Sequence, residues 1–295
     1  MDKNTPNIFS ESFGKALAEA SKNWTEQLSS IAEQFSSIAS TQVTIGKRLA
    51  ESLQPVHDAI QRSLSSIDFS WVHEAWQQAM PPNWRELEPS DIDQVLAVMD
   101  ETGWCLVWCP RTRIIRDLMD AENAKARAQV LLASKGAVLE DMDYCLAGMN
   151  HPESSEYRRA ATLAIRAFDA GHVEAAQALA AADISAIING GFGLTFKKAE
   201  PRFHGDPKKA SIRAFREQAV FNTVSQSLQR FFADGGDPMP SSFSRHATIH
   251  AVSEVQYTEV NSLASLLLVV AFIKEADLLM EWADRAKPDV DSSTK

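Results

Sequence analysis

His172-Val173-Glu174-Ala175-Ala176-Gln177-Ala178-Leu179-Ala180-Ala181-Ala182-Asp183-Ile184-Ser185-Ala186-Ile187-Ile188 is the stretch on which the fold reading turns. Its alanines at 175, 176, 178, 180, 181 and 182 are small enough to let two helices approach closely, which predicts a helix at the centre of a bundle. Upstream, His151-Pro152 breaks the chain, and residues 154–169 read as a partner helix ending at Asp169-Ala170-Gly171. Downstream, Gly190-Gly191-Phe192-Gly193 reads as a flexible turn. It is not a phosphate loop, because no strand precedes it and no Lys-Ser/Thr follows. Residues 194–208 read as irregular and basic, and 209–233 as a helix stopped by Asp234-Gly235-Gly236. A last long helix is expected over roughly 258–284, carrying Leu263, Leu266, Leu267, Val270, Ile273 and Leu278.

Upstream of 154 the chain also reads as helices. Residues 111–119 and 122–148 form two segments broken near Asp120. Ser90 is expected to cap a short helix from Asp91 to Glu101 that Gly103 terminates. Trp104-Cys105-Leu106-Val107-Trp108 is apolar without helical spacing, a short buried strand or an extended connector. Over 7–40, Phe9, Phe13, Leu17, Ala20, Trp24, Leu28, Ile31, Phe35 and Ile38 recur every three or four residues, one apolar helical stripe. A second amphipathic segment runs from Val43 to Leu64 with Pro55 near its middle. Such a stripe has to be covered by this chain, a second copy, a partner protein or a membrane surface. The Ser, Gln and Glu of its polar face argue against the membrane, since interfacial helices carry Lys and Arg there.

The expected architecture is therefore an all-α, multi-helix bundle over 111–288. It is preceded by an elongated amphipathic helical region at 1–80 and a linker at 81–110, and followed by a disordered tail at 289–295. The 295 residues are 45% apolar and 23% charged, ordinary for a globular chain, and the net charge of −10 means that any nucleic-acid contact must be a local basic patch. Cys105, Cys109 and Cys145 include no C-x-x-C pair, which argues against a disulfide framework or a four-ligand zinc site and fits a reducing compartment. The first residues lack the layout of a signal peptide, and the longest apolar run, Leu263 to Ile273, is too short to span a bilayer. A soluble, cytoplasmic protein is expected.

Arg245 and His250 lie five residues apart in Ser241-Ser242-Phe243-Ser244-Arg245-His246-Ala247-Thr248-Ile249-His250. An arginine followed by a histidine at such spacing arises by coincidence in a chain of this composition, and Arg166 with His172 is a second instance. Placement separates the two. Arg166 sits within an Ala-rich helix, whereas Arg245 follows the Asp237-Pro238-Met239-Pro240 turn and leads, through a polar stretch, into the last long helix. The pattern Arg-His-x3-His, in a loop before a late helix, resembles the ribonuclease motif of the HEPN superfamily. The Asn261-Ser262-Leu263 start of the final helix and the helix pair over 154–188 resemble uncharacterised bacterial members, and the likeness extends over roughly 111–285.

That resemblance implies a metal-independent endoribonuclease without a cofactor, acting on RNA as a homodimer whose two motif copies face one cleft. Such enzymes serve in phage defence, toxin–antitoxin pairs or stress responses. In this chemistry the ribose 2′-hydroxyl attacks the adjacent phosphate. It needs a base for that hydroxyl, an acid for the leaving 5′-oxygen and a cation for the charge on phosphorus. Histidine titrates near neutral pH, and arginine stays charged and can grip two phosphate oxygens. The expected roles are transition-state stabilisation by Arg245, general acid/base catalysis by His250, and phosphate orientation or shared proton transfer by His246. On a regular helix His246 and His250 are about 40° apart, but Arg245 and His250 about 140°, so Arg245 has to sit in the first turn, with Ser242 or Ser244 as cap. Val252 stands where one toxin subgroup has a modified tyrosine, and Ala251 where many relatives have Gly, so control through that tyrosine is not implied.

Two alternatives stay open at this level. In the first, Arg245 pairs with Glu254 or Glu259 and does no chemistry, leaving a catalytically silent dimeric module that binds RNA or a protein. A metal at His246 and His250 lacks a third ligand. Lys197, Lys198, Arg202, Lys208, Lys209, Arg213 and Arg216 are interrupted only by Glu200 and Asp206, a candidate RNA track or an ordinary solvated face.

Overall fold

The computed structural model describes residues 80–286 apart from Pro89, Ser211 and 233–234. The amphipathic stripe and the 289–295 tail lie outside them. The described residues belong to one compact unit beginning at Ala79. They form ten α-helices and no strand.

In chain order these are α1 (Asp91–Thr102), α2 (Thr112–Asp120), α3 (Ala124–Ala133), α4 (Lys135–Ala147), α5 (Ser155–Asp169), α6 (Val173–Ala186), α7 (Phe196–Phe203), α8 (Ile212–Ser227), α9 (Arg245–His250) and α10 (Glu259–Arg285).

The axis of the bundle is α10. Thr258 caps it by accepting a hydrogen bond from the Asn261 N–H at 3.1 Å. Every residue from Asn261 to Ile273 is buried, as expected of a helix that is apolar on all sides. Both α5 and α6 pack on α10 and on each other. Ala176, Ala180 and Ala181 of α6 and Ala161 and Ala164 of α5 have no exposed surface, so small side chains on both partners allow the close approach. No single helix among the described residues is long and apolar enough to cross a membrane.

Several boundaries differ from expectation. The stretch 194–208 is not irregular: it holds α7, with Pro201 inside it, and a 3-10 turn at Pro207–Lys209. Phe192, Phe203, Phe221 and Phe272 explain its order, because their ring centroids lie 4.8–6.1 Å apart and tie α7 to α8 and α10. Aromatic contacts across elements are invisible to periodicity. The segment 122–148 is two helices, interrupted at Ser134. Ile187–Gly191 prolongs α6 as a π-helical turn where a flexible turn was expected.

Residues 81–110, expected as a linker, are packed into the body of the unit that begins at Ala79. Trp84, Cys105, Leu106 and Val107 are fully buried. The Trp84 indole N–H donates to the Leu106 carbonyl at 2.9 Å, and the Asn83 amide donates to Leu106 and Pro110 carbonyls at 3.0 and 2.8 Å. These side chains satisfy carbonyls of the 104–110 connector that a sheet would otherwise pair. Ser90 precedes α1 but makes no capping bond; Gly103 ends the helix at φ 72°.

Candidate functional site

Residues 241–250 emerge from the Pro-rich turn and form α9, a helix of six residues. So short a helix does not hold itself together, and its hydrogen bonds show what does. Ser244 caps it, its hydroxyl accepting from the Ala247 N–H at 3.2 Å. Gln256, fully buried, clamps both ends of the approach. Its side-chain oxygen accepts from the Ser244 N–H at 2.8 Å, and its amide nitrogen donates to the Pro240 and Ser242 carbonyls at 3.0 and 3.1 Å. Gln177 of α6 donates to the Thr248 hydroxyl at 2.9 Å, and Tyr257 donates to the Thr248 carbonyl at 2.7 Å. Asn261, at the start of α10, donates to the Ser241 and Gln256 carbonyls, both at 3.0 Å.

Arg245 takes the first position of this helix. It forms no ion pair with Glu254 or Glu259: Glu254 is exposed and Glu259 pairs with Lys135 at 2.7 Å. Instead its Nε donates to Ser185 Oγ of α6 at 2.8 Å, and its guanidinium lies 4.0 Å from the centre of the Phe196 ring of α7. The side chain is half-buried, and desolvation lowers its pKa from the ordinary value. A guanidinium stays charged under such shifts. The result is a stacked, partly desolvated cation with no carboxylate partner among the described residues, and such cations suit planar oxyanions.

The two histidines of α9 lie with ring centroids 4.6 Å apart and tilted 46°. His250 is exposed, while His246 is half-buried beside Phe232, centroid to centroid 6.1 Å. Burial, then the charges of His250, Arg245 and Arg230, lower the pKa of His246; a hydrogen bond with the Phe231 backbone opposes them. The surroundings of His246 thus favour its neutral form, and its buried Nδ1 is unpaired among the described residues. The pair thus combines one shielded imidazole with one that meets solvent.

The described basic residues of 197–216 have different surroundings. Lys197, Lys198 and Arg202 are exposed on α7. Lys208 pairs with Asp93 at 2.8 Å, and Arg216 is drawn inward to Glu275 at 2.6 Å. The side chains of Lys209 and Arg213 lie outside the described residues. Lys197 borders an open cleft of about 870 Å³ that also bears Asp100, Glu200 and Asp206. That cleft mixes charges, one lysine with three carboxylates.

Arg166 and His172, the second sequence match, are exposed at the α5–α6 junction. Burial pushes the Cys105 thiol up to about 12, which keeps it protonated and unsuited to ligation. No group of three His, Cys, Asp or Glu among the described residues is placed to hold a metal ion.

Ser185, Phe196, Gln177 and Gln256, which hold the motif, were not identified from the sequence. Ser185 lies 60 residues from Arg245, and a polar residue on an Ala-rich helix gives no sign of its partner. No family model, curated protein or solved structure matches this chain.

Proposed function

We propose that this chain is a HEPN-like, metal-independent endoribonuclease that cleaves RNA by attack of a 2′-hydroxyl on the adjacent phosphodiester. The observation that carries the reading is Arg245: a half-buried guanidinium stacked on Phe196, free of carboxylates among the described residues, in the same six-residue helix as the paired histidines. In this mechanism the fork of Arg245 binds two oxygens of the scissile phosphate and stabilises the charge that builds there. His250, open to solvent, exchanges the proton with the 2′-hydroxyl or the leaving 5′-oxygen. His246 shares that proton rather than holding the phosphate by charge, since burial and the neighbouring cations disfavour its charged form. The products are a 2′,3′-cyclic phosphate and a 5′-hydroxyl. A role in defence, a toxin–antitoxin pair or a stress response, and action as a cytoplasmic homodimer, belong to this reading.

Cleavage of single-stranded RNA in EDTA tests it. Wild-type protein is expected to cut, and Arg245→Ala to lose about 10²–10³-fold in rate, the usual effect of removing one oxyanion-stabilising donor. His250→Ala is expected to lose about 10²–10⁴-fold. Full activity of His250→Ala would overturn the assignment.

A second reading, a catalytically silent dimeric module for RNA or a protein partner, draws on the exposed Ile249, Val252 and Val255 in and just after α9. Absence of EDTA-resistant cleavage, together with a concentration-dependent dimer that Val252→Glu disrupts, favours it.

A further inference from the structure

The loop after α8 carries two consecutive phenylalanines of opposite fate. Phe231 is buried, whereas Phe232 leaves 54% of its surface in solvent. Hydrophobic packing therefore does not account for the position of Phe232. Its backbone does: the N–H donates to Asp237 Oδ2 at 2.9 Å, and the carbonyl accepts from the Gly235 and Asp237 N–H groups at 3.0 and 3.3 Å. The Asp237 carboxylate is thereby engaged with the loop itself. The phenyl ring stands 6.1 Å from the His246 ring, inclined at 60°, and His246 is in turn 4.6 Å from His250. Successive ring contacts thus connect an exposed, backbone-pinned loop, through His246, to the exposed histidine of the motif. Arg230, exposed and two residues before Phe232, and Arg245, next to His246 in sequence, both act electrostatically on His246, so the ring contacts lie in a locally positive setting.

An exposed aromatic ring in a locally positive setting suits a single strand, whose phosphates seek cations and whose bases each offer a π-face. We propose that Phe232 is the stacking platform for the nucleobase beside the scissile phosphate of a single-stranded RNA, with Arg230 holding the next phosphate along. The proposal rests on the reading of Arg245 and His250 as the cleavage site, and it adds the substrate class: unpaired RNA, held with little regard to base identity. A duplex would not fit, since its bases are stacked on one another.

The test uses the full chain and a 2′-O-methyl oligonucleotide, which has no nucleophile and so reports binding alone. Fluorescence anisotropy is expected to show Phe232→Ala weakening Kd about 5- to 150-fold, the range for loss of one base–aromatic stack. Phe232→Tyr and Phe232→Trp are expected to bind like wild type, and Arg230→Ala to flatten the salt dependence. In the cleavage assay Phe232→Ala is expected to raise KM while kcat holds, the reverse of Arg245→Ala. If Phe232→Ala binds the methylated strand as tightly as wild type, the platform is refuted whatever cleavage shows. If the same substitution instead changes the molecular mass in sedimentation and leaves RNA affinity intact, Phe232 is a contact between copies and the proposal falls. If no cleavage is found but the alanine variant binds weakly, the ribonuclease reading fails and the stacking site stands.

Discussion

Asp183 shows how much a single side chain can be asked to tolerate. It projects from α6, 4% exposed, with Oδ2 unpaired among the described residues, and desolvation raises its pKa to about 7. Its negative field in turn contributes to the raised pKa of Tyr157, where burial is the larger cause. The sign of the linkage follows directly. A carboxyl that is harder to ionise when folded favours the folded state while both states are protonated, below pH ~4. Stability contributed by the neutral form is then lost as pH rises from ~4 to ~7, by about 2–4 kcal/mol for a shift of this size. Asp183→Asn, neutral at every pH, is expected to be more stable than wild type at pH 8 and similar to it at pH 4. Urea unfolding of both proteins across that range checks this; a difference that does not change with pH contradicts it. The sequence places Asp183 among alanines on a central helix, but its burial depends on α5 and α10, which no local pattern reveals.

At the scale of the element, α9 depends on chain segments far from it. Its cap was legible in part: a serine, Ser242 or Ser244, between a Pro-rich turn and the helix was expected to put Arg245 in the first turn, and Ser244 is the one that caps. Its support was not. Gln256 reads as one polar residue in a polar stretch, yet it accepts from Ser244 and donates to Pro240 and Ser242. Gln256→Ala would leave one buried donor and two acceptors without partners, each costing ~1–3 kcal/mol where water cannot enter. The expected result is a loss of about 2–5 kcal/mol in global stability, or local opening of 240–250 at lower cost. Hydrogen exchange distinguishes the two, since local opening would deprotect the Ala247 and Thr248 amides while α10 stays protected. The same distinction between local signal and distant partner explains α7. Its basic residues and Pro201 read as irregular, and three of the four phenylalanines that order it, Phe192, Phe221 and Phe272, lie outside it in the chain.

At the scale of the whole molecule, the all-helical character was legible because apolar residues recur at helical spacing in almost every segment, and that spacing survives any arrangement of the helices. The distribution of charge was not legible, because neighbours in sequence do not determine neighbours in space. Arg216 belongs to a basic run in sequence, yet in the fold it pairs with Glu275, which is 1% exposed, at 2.6 Å and again at 3.2 Å. Glu275 also accepts from the Trp108 indole N–H at 2.7 Å, and the Arg216 guanidinium lies 4.7 Å from the Trp108 ring centre. One ion pair thus joins α8, α10 and the 104–110 connector. Truncating either partner leaves the other charge buried, and such losses cost about 3–5 kcal/mol. Replacing the pair with matched apolar residues can be neutral, because desolvation offsets much of the attraction. Arg216→Met and Glu275→Leu are therefore each expected to destabilise strongly, while the double variant recovers most of the loss. A double-mutant cycle by chemical denaturation measures this. If the two single losses simply add, the pair is not coupled, and the connector is held by Trp84, Asn83 and Trp108 packing instead.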